Sequence, residues 1–273
     1  MDAGLARDAA TAALGVATGA LSGAFGVGGA VLSTPGIRAL GVAPLVAVGS
    51  TLPSVLPSAI SGSLRYDREQ LIDWRAVRLT LPTGLVAAIA GAALSDVVPG
   101  DGHVLMVITA FLLAFTAYRM YASARRSQKT TDANEEDSES GPSGRGSGKR
   151  ETPMSFALVG SMAGLFSGLL GIGGGVVMVP AFHSISGMKV KTAIATSLVC
   201  VAGFAVPGTI THAIKGNIDW RVAAALTLFV IPGARVGSAL TVKSNDVRLR
   251  ITVALFLGVI SIIYAAGELA ALV

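Results

Sequence analysis

Runs of about 20 apolar and small residues alternate along this chain with short polar stretches. Eight such segments lie near 10–33, 42–64, 76–97, 103–122, 154–182, 192–213, 221–241 and 249–270. At a helical rise of about 1.5 Å per residue, a run of this length crosses the hydrocarbon core of a bilayer. Backbone N–H and C=O groups find no water there, so a crossing segment must close its hydrogen bonds as a helix. Charge is confined accordingly: between Ala76 and Tyr121 the charged side chains are Arg78, Asp96, Asp101 and Arg119, with His103 titratable. Only 14% of the chain is charged and the mean hydropathy is +0.68, whereas soluble domains carry about a quarter charged residues. The expected fold class is an all-α polytopic membrane protein, with the lipid bilayer as its first partner.

The net charge of +5 does not point to a nucleic-acid partner. The basic residues sit in loops between apolar spans, with no basic face interleaved with aromatics, and the bias of cytoplasmic loops toward Lys and Arg accounts for them. Cys200 is the only cysteine, which excludes a disulfide framework within the chain and a Cys-rich metal site. No metal or cofactor is expected, and nothing in the sequence sets an oligomeric state. Asp2, Arg7 and Asp8 lead straight into the first span, unlike a cleaved signal peptide.

Residues 123–153 are rich in Ser, Gly and charge and read as a polar, disordered cytoplasmic linker. They divide a first membrane repeat, 1–122, from a second, 154–273. Ser22-Gly-Ala-Phe-Gly-Val-Gly-Gly-Ala, followed by Pro35, returns as Ser167-Gly-Leu-Leu-Gly-Ile-Gly-Gly-Gly, followed by Pro180, at an offset of 145. Ile72-Asp-Trp-Arg returns as Ile218-Asp-Trp-Arg at 146. Two matches in order at nearly one offset indicate a duplication of a four-segment unit.

The first segment of each repeat is expected to break at its glycines. Each glycine costs a helix about 1 kcal/mol relative to alanine, and Gly26, Gly28 and Gly29, like Gly171, Gly173, Gly174 and Gly175, cluster near the middle of their segments. Pro35 and Pro180 then remove a donor each. Non-helical backbone survives at membrane depth only against protein or a wet cavity, and paired glycine-interrupted segments are a pointer to a transporter's binding site. The helix resuming after each break offers free N–H groups and a positive dipole end to an anion. Ser22 and Ser167 add hydroxyl donors. Thr196 and Ser197, with Gly49 and Ser50 taken as their counterparts, either donate to the same anion or back-bond to their own helix. The structural alternative for the glycines is close helix packing. A nucleotide loop is disfavoured, because no strand precedes the glycines and no acidic residue follows at the ribose distance.

Two threadings follow from the charges. If all eight segments cross fully, fourteen Lys and Arg share one side and six the other; if segments one and five return as hairpins, the linker, 65–78, 183–191 and 241–250 share sixteen against four. The second fits the positive-inside rule better and makes the repeats inverted. His212 is a candidate for anion binding or proton coupling, or alternatively an interfacial loop residue. Arg65, taken as its counterpart, sits in a solvated charged loop, and Arg235 reads as a snorkelling anchor. Trp74 and Trp220 read as interfacial anchors, and Asp73 and Asp219 as helix caps.

These motifs, with Ala195-Thr196-Ser197 and Gly216-Asn-Ile-Asp-Trp, resemble the TauE/SafE family of membrane permeases over the chain outside the linker. The second half is the closer copy. In the first, Ala30 replaces the third glycine and Val48-Gly49-Ser50 stands for Ala-Thr-Ser. The resemblance implies transport of small, often sulfur-containing anions such as sulfite and organosulfonates. The expected substrate-binding set is Ser22, Gly26, Gly28, Gly29, Ser50, Ser167, Gly171, Gly173, Gly174, Gly175, Thr196 and Ser197. No H-E-x-x-H, paired intramembrane carboxylates or nucleophile–base pairing suggests an enzyme; the remaining alternative to a permease is a non-transporting membrane scaffold or accessory subunit.

Overall fold

The computed structural model describes residues 3–94, 103–134, 153–171 and 173–272, and within them the chain is helical with no strand. In chain order the helices are α1 (Ala3–Phe25), α2 (Ala30–Ala39), α3 (Pro44–Arg68), α4 (Trp74–Leu94), α5 (His103–Asn134), α6 (Pro153–Leu170), α7 (Gly175–Ile185), α8 (Val190–Ile214), α9 (Trp220–Lys243) and α10 (Asp246–Leu272). Among the described residues, five stretches are long and apolar enough to cross a membrane: Leu45–Arg68, Trp74–Leu94, Pro153–Leu170, Val190–Ile214 and Trp220–Lys243. α5 continues to Asn134, twelve residues into the segment read as a disordered linker; positions 135–152 lie outside the described residues.

Local chemistry sets several of the boundaries. Pro44 opens α3, where a missing N–H costs nothing. Asp73 Oδ1 accepts from the N–H groups of Arg75 and Ala76 (2.9 and 3.0 Å), and Asp219 Oδ1 from those of Arg221 and Val222 (3.0 and 3.2 Å). Both aspartates therefore cap their helices as their positions predict. α8 stops at Gly216, whose φ of +70° suits glycine after a helix end.

The glycine motifs turn the chain back on itself. A Cβ built at Gly29 would strike the Thr18 side chain, and one at Gly36 the Leu14 side chain, so α2 runs antiparallel to α1. Likewise a Cβ at Gly174 would strike the Ala163 carbonyl, and the Phe182 and Phe156 rings lie 6.2 Å apart. Both hairpins are closed. The ends of the molecule sort themselves to match. At one end Lys191 Nζ donates to the Val242 carbonyl (2.9 Å), Asp73 N–H donates to Thr196 Oγ1 (3.1 Å), and α4 starts beside the start of α6. At the other, Asp8 pairs with Arg221 (2.6 Å) and Asp219 N–H donates to Ser50 Oγ (2.8 Å).

Packing relies on glycine rather than on bulk. α1 lies along α9 and α4 along α6. Gly15, Gly19 and Gly23 recur every four residues on α1, and a Cβ on Gly19 or Gly23 would collide with the backbone of Val230 or Ala234. Gly233 and Gly237 answer from α9 against Val16 and Ala20. Gly160, Gly164 and Gly168 on α6 meet Thr80, Gly84 and Ala88 on α4 in the same way. Lipid tails are as apolar as any side chain, so helices there adhere through close van der Waals contact, which small residues permit. Phe156, Phe182 and Phe204 are buried, while other large apolar side chains point outward: Val86, Phe111 and Ile214 are 71%, 75% and 82% exposed.

Gly164→Ala and Gly237→Ala should each lower the melting temperature of the detergent-purified protein, since the seam must open by about 1–3 kcal/mol of overpacking. Gly258→Ala, whose Cβ meets only the Ala117 Cβ at 4.0 Å, should leave it unchanged or raise it.

Candidate functional site

α1 ends at Phe25 because Gly26 takes φ +68° and Gly28 φ +79°; α6 ends at Leu170 because Gly171, Gly173 and Gly174 take +68°, +85° and +70°. These are left-handed angles that a side chain resists. Every described residue of both breaks is buried, and the two breaks touch. A Cβ on Gly175 would strike Gly26 O and the Val27 backbone, and one on Gly173 would come within 3.7 Å of Gly28 Cα. Val55 of α3 and Val201 of α8 wall this contact at 3.7 and 3.3 Å from the same Gly173 position. The copies differ at one point: Gly29 is helical (φ −66°), and Ala30, fully buried, occupies the place of Gly175.

Breaking a helix strands the carbonyls whose donors would have followed. Gly26 N–H still reaches Ser22 O (2.9 Å), but Gly23 O and Ala24 O lose their helical partners. Three hydroxyls from other helices replace the lost donors. Tyr66 Oη donates to Gly23 O (2.7 Å), Thr241 Oγ1 to Ala24 O (2.8 Å), and Ser197 Oγ lies 3.0 Å from Gly26 O and 2.9 Å from Ile194 O. On the donor side, the N–H groups of Ala30, Val31, Gly175 and Val176 have no backbone acceptor among the described residues. These are the first-turn groups of α2 and α7, where the positive dipole ends lie.

The predicted residues separate into two groups. The glycines, Ser22, Ser167 and Ser197 gather at the breaks. Ser22 and Ser167 are 2% and 3% exposed and their hydroxyls have no partner, an arrangement that costs about 1–3 kcal/mol per group unless a ligand or water fills it. Thr18 and Ser58 carry further buried, unpartnered hydroxyls, and Thr18 lies against Gly29. Ser50 and Thr196 do not join this group: each accepts the N–H of a capping aspartate, Asp219 and Asp73, at opposite ends of the molecule. His212 lies in the last turn of α8, about 16 Å along the helix from Val201 at 1.5 Å per residue, so it is remote from the breaks. Its carbonyl accepts the Asn217 N–H at 3.0 Å.

The paired hooks also correct the alignment of the halves. Ser50 answers to Thr196 at an offset of 146, so Thr51, not Ser50, is the counterpart of Ser197, and Tyr66, not Arg65, is that of His212. Tyr66 O accepts the Leu71 N–H at 3.0 Å as His212 O accepts that of Asn217. Tyr66 and Thr241 were missed as supports of the break; the offset of Ile-Asp-Trp-Arg, applied strictly, would have singled out Tyr66. Among the described residues no three His, Cys, Asp or Glu side chains come together, so the centre offers hydroxyls and backbone amides.

Residues 11–264 match the family described as "Sulfite exporter TauE/SafE". The chain is similar to the probable membrane transporter protein YunE of Bacillus subtilis, with 26% identity over 85% of this chain and 86% of the relative. It is likewise similar to the probable membrane transporter protein MJ0441 of Methanocaldococcus jannaschii, with 24% identity over 91% and 92%. The probable membrane transporter protein MamO of Paramagnetospirillum magneticum is 29% identical over 82% of this chain, which spans only 38% of that longer relative. No solved structure matches. A match over nearly all of its length assigns the chain to the TauE/SafE family.

Proposed function

We propose that this protein is a secondary transporter for a small anion, of the sulfite or organosulfonate class, held between the two glycine breaks. One observation carries the reading: two buried helix breaks meet, and around them lie the unpartnered hydroxyls of Ser22 and Ser167 and first-turn amides of α2 and α7 that have no backbone acceptor among the described residues. Such donors suit an oxyanion, which accepts from several N–H and O–H groups at once. Family membership and the printed names of the relatives support transport over a passive scaffold.

The two halves act, in this proposal, as inverted four-segment repeats, each a returning hairpin followed by three crossings. The linker, 65–78, 183–191 and 241–250 face the cytoplasm, since sixteen Lys and Arg gather there. Gly175 presses against Gly26 and Val27, so the breaks must part to admit substrate. Parting them by rocking one repeat against the other would expose the site to one side at a time.

Ser22→Ala and Ser167→Ala should weaken sulfite or sulfonate uptake into proteoliposomes by roughly tenfold to a hundredfold, the worth of a hydrogen bond to a charged group. Because neither hydroxyl has a protein partner, the same changes should not lower the melting temperature. Undiminished saturable flux in both variants would reject the site. For the topology, single cysteines at Gln70, Lys189 and Lys215 can be placed in a Cys200→Ala background and treated with a membrane-impermeant maleimide on intact cells. Only the Lys215 position should label; labelling of Gln70 or Lys189 from outside would overturn the assignment.

A further inference from the structure

Where the end of α3 lies beside α9, a cavity of about 280 Å³ opens at the outer surface, lined by Ser61, Leu64, Arg65, Arg68, Arg235 and Ala239. Three guanidiniums converge there. Ser61 gives its hydroxyl to the Ile231 carbonyl (3.2 Å), so the arginines supply the available donors. Arg65 pairs with Glu69 at 3.2 Å, but its Nε is buried and without a partner. Among the described residues, Arg68 and Arg235 meet no carboxylate. The cavity is left with a positive charge of two.

Its surroundings are apolar. Leu64, in its lining, is 53% exposed, and farther round α9 Val236 and Leu240 are 57% and 62% exposed. Arg235 stands eight residues before the end of α9, about 12 Å at helical rise, on a face that otherwise carries Leu228, Val236 and Leu240. A guanidinium at that depth is costly unless an anion meets it.

The other half supplies an internal comparison. At the offset of 146, Leu64, Arg65, Arg68 and Arg235 correspond to Ile210, Thr211, Ile214 and Ile89. Ile210, Ile214 and Ile89 are all well exposed, as a lipid-facing surface requires. The arginines therefore have no counterpart at the matching positions of the other half. They also lie at the end where Lys191 meets Val242, the face proposed to be cytoplasmic, whose leaflet carries the anionic lipids.

We propose that Arg65, Arg68 and Arg235 form a binding site for a phosphate group, with the lining Leu64 and Ala239 receiving acyl chains when that phosphate belongs to an acidic phospholipid. Guanidinium forks match the oxygens of a phosphate two at a time. The same chemistry would accept a soluble oxyanion, so the test has two arms. Full-length protein in detergent is mixed with phosphatidylglycerol or phosphatidylcholine and its retained lipid measured by native mass spectrometry; separately, inorganic phosphate is titrated while the melting temperature is followed. The wild type should retain phosphatidylglycerol in preference to phosphatidylcholine. Arg68→Gln and Arg235→Gln should each reduce that preference about fivefold, and Arg68→Lys should restore part of it. An arginine-dependent shift with inorganic phosphate alone supports the site with a soluble occupant. If the Arg68→Gln/Arg235→Gln double variant matches wild type in both arms, the proposal fails. Should Arg235→Gln not fold, Arg68→Gln, at an exposed position, decides the matter by itself. Neither arm reads transport, so the outcome is independent of the site between the breaks.

Discussion

A helix interrupted far from water must find new partners for the backbone groups it releases, and much of this structure is arranged around that demand. The carbonyls of Gly23, Ala24 and Gly26 receive hydroxyls from Tyr66 on α3, Thr241 on α9 and Ser197 on α8. Three separate helices thus converge on one turn and are held in place by it. The released amides on the far side of each turn receive no such replacement. That imbalance, with the acceptors of the first break satisfied and first-turn amides left over, is what the proposed anion site would draw on.

Glycine serves two opposed purposes here. At Gly26, Gly28, Gly171, Gly173 and Gly174 it permits left-handed backbone angles that end a helix. At Gly19, Gly23, Gly164 and Gly237 it stays helical and lets two backbones nearly touch. The first use ends two helices inside the molecule, and the second fixes those ends by tying each broken helix to a straight one. Gly23 belongs to both economies, since its carbonyl is capped by Tyr66 while its α-carbon abuts Ala234.

Much of this was readable in the residues. The caps at Asp73 and Asp219, the paired breaks, and the sorting of loops toward two ends all follow from local chemistry or from counting charge. What was not readable depends on which helix meets which. Ser50 and Thr196 look like site residues from their polarity, yet hydrogen bonding to a distant capping aspartate claims them first. Tyr66 was passed over because its partner is 43 positions away. A shift of one residue in matching the halves was enough to compare Arg65 with His212, and periodicity within one helix gives no protection against such a slip.

The seam between α1 and α9 carries a consequence for how the molecule is made. Gly19 finds its partner at Val230, so α1 matches a surface synthesised more than two hundred residues after it. At about 5–20 residues per second, α1 waits roughly ten to forty seconds before its glycine face can be covered. The seam between α4 and α6, which lie closer in sequence, can close sooner.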